Sequence, residues 1–374
     1  MKVRFLIRSL QRGGAERQCV ALAKGLRQLG HDVGVLVFYS GGDLYDELLA
    51  AGIPVESVGK LRRWELVGFL QRIRRCLRRE RPDVVYSLLQ VSNVVAAVEK
   101  LFVPTLRVTW GIRTASMDLT HYDRLVRVSY WLEARLSRFA DHIIVNSEAG
   151  LRYAKVEGYR TDRISVIPNG IDTELFAPDR SKGKSVRWSW GIRDEEVVIG
   201  LVGRLDPIKD HPTFLRAAAL VVRQCPLVKF VCIGGGDSAY KESLVALCAE
   251  LALSARVIWA GEHSDMPAVY NALDVACLTS TAEGCPNTLL EAMACGVLCV
   301  ATDVGDSKRI LGEIGGVVPS RNSEALAGAI QELLRMDGAE RAKQGQMGRD
   351  RIIQHFSLER LIGNTASVLE ATAR

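Results

Sequence analysis

Short apolar segments alternate with amphipathic helical segments along the whole of this 374-residue chain. Near the start, apolar runs at 3–10 and 33–39 flank a segment of helical periodicity at 16–29, which ends at a glycine. Further strand-like runs lie at 83–89, 106–109, 142–146, 197–202, 229–233, 256–259, 275–278 and 297–301. Strands that alternate with helices favour parallel sheets covered by helices on both faces. The sequence therefore predicts the α/β class, with Rossmann-like parallel sheets.

The length of the chain is sufficient for two domains of ordinary size, each with a buried core. A polar segment at 178–184, with the sequence PDRSKGK, has no apolar periodicity and is typical of a linker. We therefore expect one Rossmann-like domain at residues 1–178 and a second at 179–357. Ligands of such sheets bind outside the carboxyl ends of the strands, so we expect a cleft between the two domains.

The net charge of +6 is concentrated in the first half of the chain. Residues 1–174 contain 27 Lys and Arg against 19 Asp and Glu, whereas the remainder contains 22 against 24. This asymmetry indicates an anionic partner for the first domain, either an anionic acceptor or an anionic membrane surface. No apolar stretch reaches the roughly 18 residues of a membrane-spanning helix, and the N-terminal residues do not resemble a signal peptide.

Nine cysteines are scattered through the chain without a Cys-x-x-Cys pair, which is typical of reduced core residues. We expect a cytoplasmic protein, and peripheral association with the inner face of the membrane is an open alternative. An arginine-rich segment at 62–81 has the periodicity of an amphipathic helix. Its basic face suits either solvent or anionic lipid. It carries no interleaved aromatics and no nucleic-acid motif, so we expect no nucleic-acid partner.

The stretch at 279–305 carries the strongest chemical signal in the sequence. It begins after an apolar run as a polar loop and continues as a helix, which we expect to start near Pro286 and Asn287. Glu283 precedes that start and Glu291 lies about one turn inside it. The free N–H groups of 288–290 form an anion site at the helix tip. An ordinary strand-to-helix crossover with two surface glutamates has the same local pattern.

A second motif, GRLDPIKDH at 203–211, follows the apolar run at 197–202. Gly203 permits a tight turn. Arg204 and Lys209 place two cations at the carboxyl end of a strand, where each is able to contact a phosphate oxygen. Taken alone, the motif is equally typical of a solvated basic loop.

Together, EGCPNTLLEAMACG at 283–296 and GRLDPIKDH at 203–211 resemble two signatures of the family-four retaining glycosyltransferases. The resemblance implies a GT-B fold, in which two Rossmann-like domains face each other across a cleft. It also implies that the last helix, within residues 358–374, returns to the first domain. The implied activity is transfer of a sugar from a nucleotide diphosphate sugar to an acceptor, with retention at the anomeric carbon.

The resemblance assigns Arg204 and Lys209 to the donor diphosphate, Glu283 to the transferred sugar and Glu291 to the ribose. The other donor-binding residues that it implies are Gly14, Gly203, Gly284, Asn287, Thr288, Leu289 and Leu290. No Asp-x-Asp motif is placed for a metal, so we expect a metal-independent enzyme. We expect no cofactor, with the nucleotide sugar as co-substrate.

The sequence departs from the family pattern near the reacting sugar. Many relatives have a histidine after the fourth or fifth strand, whereas here the run at 106–109 is followed by Trp-Gly-Ile-Arg. Arg113 is the candidate replacement, and His121 is an alternative. In the final loop, VATDVGDSKR at 300–309, Asp306 replaces a second glycine. We expect that loop to cap the cleft.

The expected enzyme is a hexosyl- or N-acetylhexosaminyltransferase. The expected acceptor is a glycan or lipid-linked glycan in cell-surface polysaccharide synthesis, and a small soluble acceptor is an alternative. A nucleotide-sugar 2-epimerase of the same fold and a non-catalytic sugar-nucleotide binding protein are alternatives. A dehydrogenase is disfavoured because the glycines at 234–236 do not complete a nicotinamide fingerprint.

Overall fold

The computed structural model describes residues 1–11, 13–60, 65–113 and 124–374, with the backbone alone at 124–127. The chain forms two compact units. Unit 1 contains Met1–Gly170 and Leu358–Arg374, and unit 2 contains Ile171–Ser357. Each unit is built on a parallel sheet, which confirms the fold class that the strand–helix alternation predicts.

Within the described residues, unit 1 has a seven-stranded parallel sheet of order β3-β2-β1-β4-β5-β6-β7. Its strands are β1 (Lys2–Ile7), β2 (Asp32–Val37), β3 (Val55–Ser57), β4 (Val84–Leu88), β5 (Val108–Ile112), β6 (His142–Val145) and β7 (Ile164–Val166). Its helices are α1 (Gly14–Gln28), α2 (Tyr45–Ala50), α3 (Val67–Glu80), α4 (Gln90–Phe102), α5 (Arg124–Leu136), α6 (Glu148–Val156) and α15 (Leu358–Ala373). The strand order reverses between β1 and β4, and such a point is where open α/β sheets bind their ligands.

Unit 2 has a six-stranded parallel sheet of order β10-β9-β8-β11-β12-β13. Its strands are β8 (Val197–Val202), β9 (Val228–Ile233), β10 (Val257–Gly261), β11 (Val275–Leu278), β12 (Leu298–Thr302) and β13 (Gly316–Val318). Its helices are α7 (Arg180–Ser189), α8 (His211–Val222), α9 (Ser238–Glu250), α10 (Met266–Asn271), α11 (Asn287–Ala294), α12 (Ser307–Leu311), α13 (Ser323–Arg335) and α14 (Gly338–Phe356). Here the order reverses between β8 and β11, the strands that precede the two sequence motifs.

Two apolar layers cover the faces of each sheet, because successive strand residues point to opposite faces. In β1, Phe5 belongs to one buried cluster and Leu6 to the other. In β8, Val198 and Ile199 likewise belong to different buried clusters, one on each face of the sheet. All nine cysteines are unpaired and all except Cys225 are buried, as expected for core residues.

The segment expected to be a linker is part of unit 2. Residues 180–189 form α7, whose N-terminus is capped by the Asp179 carboxylate. Gly183 of α7 approaches so closely that a Cβ there would lie 2.1 Å from the carbonyl oxygen of Asn271. The buried residue of α7 is Gly183, which packs against the backbone of Asn271. Because glycine adds nothing to an apolar pattern, the sequence did not predict this helix.

The division between the units lies at Gly170/Ile171, earlier than the 178/179 boundary expected from the sequence. The backbone amide of Ile171 donates to the carbonyl of Phe356 at 2.9 Å. The Arg349 guanidinium donates to the carbonyls of Thr173 and Phe176, each at 2.9 Å. These contacts attach residues 171–176 to unit 2 before α7 begins.

Helix α15 follows unit 2 in sequence and packs in unit 1. Leu361, Ala366 and Leu369 are buried in one of the two apolar clusters of that unit. A Cβ at Gly25 of α1 would lie 2.1 Å from the Cδ1 atom of Ile362, so the glycine allows the two helices to approach closely. Among the described residues, no helix is long and apolar enough to cross a membrane.

The basic helix expected at 62–81 is observed as α3, and residues 62–64 lie outside the described residues. Its arginines are partly engaged. Arg72 pairs with Glu65 and Arg79 pairs with Glu56, whereas Arg75 and Arg78 are exposed. The basic face is therefore smaller than the sequence pattern indicated.

Candidate functional site

The two sequence motifs meet at the carboxyl edge of the unit 2 sheet. The 203–211 motif follows β8, the 279–284 loop follows β11, and these strands are neighbours in the sheet. The ammonium of Lys209 donates to Oε1 of Glu283 at 2.5 Å, and the hydroxyl of Ser280 donates to the same oxygen at 2.7 Å. Both charged side chains are largely buried. The structure therefore pairs one cation and one carboxylate that the sequence assigned to different parts of the donor.

Short hydrogen bonds hold the Lys209 loop in place. The Asp206 carboxylate accepts from the amide of Ile208 at 3.0 Å, which caps a short turn at 207–209. The amide of Thr281 donates to the carbonyl of Ile208 at 2.8 Å, and the hydroxyl of Thr279 donates to the backbone carbonyl of Lys209 at 2.6 Å. The 279–281 loop thereby fixes the backbone from which Lys209 extends.

Arg204 is the other cation of the motif, and it is exposed to solvent. Its side chain is 77% exposed, and the nearest carboxylate oxygen belongs to Asp206, 3.7 Å away. The guanidinium is therefore only weakly engaged within the protein. It is available to an anionic ligand, whereas Lys209 also donates one hydrogen bond to Glu283.

Helix α11 begins at Asn287, as the sequence predicts, but its tip offers fewer free amides than expected. The amides of Leu289 and Leu290 both donate to the carbonyl of Pro286, at 3.2 and 3.4 Å. Within the described part of the chain, the amide of Thr288 has no acceptor. The expected three-amide anion site is thus reduced, because the first turn of the helix closes on Pro286.

Glu291 lies inside α11 and is 94% buried, since its relative exposure is 6%. The phenol of Tyr270, a fully buried residue of α10, donates to Oε2 of Glu291 at 2.7 Å. A carboxylate held in this way has a fixed orientation for accepting ligand hydroxyls. The sequence analysis did not identify Tyr270. An aromatic residue at a buried helix position carries no signal for a polar role.

The loop after β12 braces Glu283 and Gly284. Gly305 has a φ of +58°, and a Cβ there would lie 2.4 Å from the carbonyl oxygen of Glu283 and 2.6 Å from that of Gly284. The amide of Asp306 donates to the Gly284 carbonyl at 2.9 Å, and its carboxylate pairs with Arg309 at 3.2 Å. Asp306, which replaces a glycine of the family pattern, is therefore a buried brace for the 283–284 backbone.

The glycine turn at 234–236 has a packing role in unit 2. Gly234 has a φ of +140°, and a Cβ there would lie 2.1 Å from the carbonyl oxygen of Gly203. A Cβ at Gly236 would lie 2.5 Å from the carbonyl oxygen of Leu205. The turn after β9 therefore approaches the Arg204 loop at backbone distance, which explains its glycines without a nicotinamide site.

His211, the first residue of α8, is completely buried. Neither ring nitrogen has a hydrogen-bond partner among the described residues. Burial, together with the positive charge of Lys209, lowers the pKa of His211 to about 4, although the carboxylates of Asp210 and Asp206 act in the opposite direction. The imidazole is therefore neutral at neutral pH. The neighbouring Asp206 and Asp210 are N-cap residues whose carboxylates accept from the amides of Ile208 and Thr213.

In unit 1, Arg113 lies directly after β5, which extends to Ile112 rather than ending at 109. Its guanidinium donates to Oδ1 of Asn169 at 2.8 Å and to the buried phenol of Tyr86 at 3.1 Å. Gly14 is the first residue of α1 and follows Gly13, the N-cap residue. His121, the alternative to Arg113, lies outside the described residues.

A cavity of about 200 Å³ in unit 1 is lined by Arg8, Ser92, Arg113 and Glu133, among other residues. Glu133 of α5 is buried and accepts hydrogen bonds from the side-chain amide of Asn93 at 2.8 Å and from the phenol of Tyr159 at 3.0 Å. Burial raises the pKa of Glu133 to about 7. The sequence analysis assigned a role in this cavity to Arg113 alone. It did not predict α4, which contributes Ser92, because α4 is apolar around much of its surface.

The architecture matches solved structures over nearly the whole chain. The Anabaena protein HepE, solved in complex with UDP-glucose, has a TM-score of 0.88 at 25% identity, covering 99% of this chain and 100% of that chain. Sucrose-phosphate synthase from Thermosynechococcus elongatus has a TM-score of 0.85 at 21% identity, covering 99% of each chain. The second likeness concerns the fold alone. The two parallel-sheet units and these neighbours define a GT-B fold.

Family models match both halves of the chain. The model described as glycosyl transferases group 1 matches residues 196–336, and that of glycosyltransferase family 4 matches residues 12–175. The D-inositol 3-phosphate glycosyltransferase of Mycobacterium tuberculosis is 32% identical over 244 residues, covering 63% of this chain and 48% of that protein. The chain therefore spans about half the length of the curated relatives that it matches. It belongs to the group 1 glycosyltransferases.

Proposed function

We propose that this protein transfers a sugar from a nucleotide diphosphate sugar to an acceptor, and that unit 2 binds the donor. The observation that carries the proposal is the contact between Lys209 and Glu283 at the carboxyl edge of the unit 2 sheet. A cation for phosphate and a carboxylate for hydroxyls lie side by side there, as a sugar diphosphate requires. Family membership supports the same reaction.

The leaving group of this reaction is a nucleoside diphosphate, whose negative charge grows in the transition state. Lys209 is held in a fixed position and Arg204 is exposed, so both are available to stabilise that charge. Preorganised positive groups of this kind supply a large part of the rate enhancement in many enzymes. We propose that these two cations act without a metal ion, and that the anomeric configuration is retained as in the family that the motifs resemble.

Glu283 is the proposed ligand of the transferred sugar. Its Oε1 atom accepts hydrogen bonds from Lys209 and Ser280, whereas Oε2 has no partner within the described part of the structure. The free oxygen is available to sugar hydroxyls. Glu291, oriented by Tyr270, is the proposed ligand of the ribose. Anabaena HepE has been solved with UDP and with UDP-glucose, which supports a uridine nucleotide sugar as the first donor to test.

Unit 1 is the proposed acceptor domain, with Arg113 near the reacting sugar. The acceptor class that we propose is a glycan or lipid-linked glycan of cell-surface polysaccharide synthesis, with a hexose or N-acetylhexosamine transferred to it. The curated relative named D-inositol 3-phosphate glycosyltransferase supports sugar transfer to a hydroxylated acceptor. The basic charge of residues 1–174 suits an anionic acceptor and suits contact with an anionic membrane surface.

The test is release of nucleoside diphosphate from a panel of UDP-, GDP-, ADP- and dTDP-sugars in the presence of EDTA. We expect turnover or binding with one donor, measured by product release and thermal shift. Glu283→Gln removes the carboxylate charge at nearly constant size and should abolish turnover. Glu250→Gln, on the exposed end of α9, is the control and should retain it.

Three outcomes would contradict parts of the proposal. If no donor binds, the transferase assignment is wrong. If activity requires a divalent ion, the metal-independent mechanism is wrong. An epimerised sugar released without any acceptor would identify an epimerase instead.

A further inference from the structure

The cavity of unit 1 lies where a doubly wound sheet places its ligand. Arg8 follows β1, Leu89 follows β4 and Arg113 follows β5, and these strands are neighbours at the reversal of strand order. The volume of about 200 Å³ is several times the roughly 30 Å³ that a water molecule occupies in the liquid. The cavity therefore has the place and the size of a site for a small chemical group.

The cavity carries two guanidinium groups, Arg8 and Arg113, and neither forms an ion pair with a carboxylate of the described residues. Neither Arg8 nor Arg113 has an acidic oxygen within 4.0 Å in the described part of the chain. Arg113 donates to two neutral oxygens, on Asn169 and Tyr86, and its Nε atom is buried without an acceptor. A buried charge is costly unless it is paired and fully hydrogen-bonded. Arg113, whose Nε atom is buried, therefore leaves positive charge uncompensated within the protein, and the exposed Arg8 adds a second positive charge at the cavity.

Helix α4 adds further donors at the same place. Its 13 residues begin at Gln90, and the amides of its first turn have no acceptor inside the helix. Ser92 in this turn is 0% exposed, lines the cavity, and has an Oγ atom without a hydrogen-bond partner among the described residues. A buried hydroxyl that faces a cavity without a partner is an independent sign that a polar ligand binds there.

The backbone entering α4 is strained. Leu89 has φ and ψ of 70° and 157°, a region that residues other than glycine rarely adopt. Its amide donates to the carbonyl of Gly111 in β5 at 3.1 Å, which helps to hold this conformation. Leu89 and the first three residues of α4, Gln90, Val91 and Ser92, line the cavity that contains Arg8 and Arg113.

We infer that this cavity binds an anionic group, a carboxylate or a phosphate, that the acceptor substrate carries. Arg8 and Arg113 supply the charge, and the α4 amides and the Ser92 hydroxyl supply additional donors. The inference rests on the proposed function, since it treats unit 1 as the acceptor domain. It narrows the acceptor to anionic sugars and sugar phosphates, and it disfavours a neutral glycan.

Among the residues that the structure describes, Glu133 is the acidic one that lines this cavity. Its carboxyl group already accepts hydrogen bonds from Asn93 and Tyr159. Because burial raises its pKa to about 7, a large fraction of Glu133 is neutral at pH 7. The two guanidinium groups therefore outweigh it, and the cavity keeps a net positive charge.

The test is isothermal titration of the full chain with potassium phosphate, sodium glucuronate and neutral glucose. All proteins carry Arg204→Gln, which removes one cation of the second anion site, so that differences report the cavity. Arg8 is exposed, and Arg8→Gln should weaken binding of a charged probe by at least about fivefold. Ser92→Ala should weaken it by about threefold. The control is Arg152→Gln, at an exposed arginine of α6, which should change affinity less than twofold.

The two anionic probes separate the sources of the charge. Tighter binding of phosphate indicates a phosphorylated acceptor, and tighter binding of glucuronate indicates a uronic acid. Unchanged affinity of both probes in Arg8→Gln and Ser92→Ala overturns the inference, as does equally tight binding of glucose. If donor turnover is observed but the variants bind as before, the cavity inference alone fails. If no nucleotide sugar binds but Arg8→Gln loses phosphate affinity, the transferase proposal fails and the anion site stands.

Discussion

Lys209 and Glu283 lie 74 positions apart in sequence, yet Nζ of the first is 2.5 Å from Oε1 of the second. The contact exists because β8 and β11 are neighbouring parallel strands whose carboxyl ends open on the same edge. Each residue follows one of those strands in a loop. The ion pair is largely shielded from solvent, so its geometry is better defined than that of a surface pair.

Removing the Lys209 charge should reduce catalysis far more than stability. Lys209→Ala deletes the cation that we propose contacts the leaving diphosphate, and it leaves the Glu283 carboxylate without its charged partner. We expect kcat/KM for the donor to fall by about 100-fold, the usual cost of losing one preorganised charge-stabilising group. Steady-state kinetics measure the effect. Lys241→Ala, at an exposed lysine of α9, is the control; a change of less than twofold in Lys209→Ala would refute the diphosphate role.

A side chain at position 305 should displace the loop that carries Glu283. Gly305→Ala places a Cβ 2.4 Å from the Glu283 carbonyl oxygen, at a φ of +58°. The backbone conformation alone costs about 1–2 kcal/mol, and the clash adds to that cost. We expect lower donor affinity and a lower unfolding temperature.

Gly191→Ala is the matched control for this substitution. Gly191 has a φ of +68°, and a Cβ there meets no atom within 4 Å. Gly191→Ala therefore has the free-energy cost of a positive φ but no steric clash of the new Cβ. This control variant should retain donor affinity. Equal donor affinities in the two variants would show that the 305 contact does not position Glu283.

Helix α7 should be a packed element of unit 2 rather than a linker. Gly183→Ala inserts a methyl group 2.1 Å from the Asn271 carbonyl oxygen. Because that oxygen belongs to the backbone of α10, it cannot avoid the clash by a change of side-chain rotamer. We expect a loss of stability on the order of 1–3 kcal/mol. Urea unfolding followed by circular dichroism measures it.

Gly328→Ala, inside α13, is the helical control within the same unit. A Cβ at Gly328 meets no atom within 4 Å, so alanine should stabilise the helix by about 0.5–1 kcal/mol. If Gly183→Ala also stabilises the protein, residues 180–189 are not packed against α10.

Acid should weaken unit 2 through His211. The folded-state pKa of about 4 lies below the ordinary value of 6.5, so the unfolded state takes up the proton first. The contribution of neutral His211 to the free energy of unfolding is complete above pH 6.5. It is lost as the pH falls from 6.5 through 4. Hydrogen exchange of the α8 amides at pH 7 and pH 5 measures it, with wild type compared to His211→Phe at each pH.

We expect α8 of the wild type to lose protection at pH 5 relative to His211→Phe, and to keep it at pH 7. His355→Gln, at an exposed histidine of α14, should behave like the wild type. If the difference between the wild type and His211→Phe is the same at both pH values, the imidazole does not titrate below its ordinary range.

The strand–helix alternation was enough to predict the fold class and most of the strands. The run at 197–202 coincides with β8, and α11 begins at Asn287 as expected, although its N-cap is Pro286 and no side chain caps it. These features depend on local periodicity and end chemistry, which a single sequence contains. The elements that were missed, α4 and α7 above all, do not turn a purely apolar face to the core: α4 buries Ser92, Asn93 and Glu99, and the buried residue of α7 is Gly183. Their positions depend on contacts with distant residues, such as Asn271 for α7.

The sequence by itself determined which chemical groups this protein has at its strand ends: Arg204, Lys209, Glu283, Glu291 and Arg113. Tertiary structure decided how they are used. Pairing of Lys209 with Glu283 and orientation of Glu291 by Tyr270 both follow from packing between elements that are distant in sequence. It also brought Arg8, Ser92 and Arg113 around one cavity, because parallel strands distant in sequence end at the same edge of a sheet. Local patterns specify elements, whereas the distance between two side chains depends on the order of strands in the sheet.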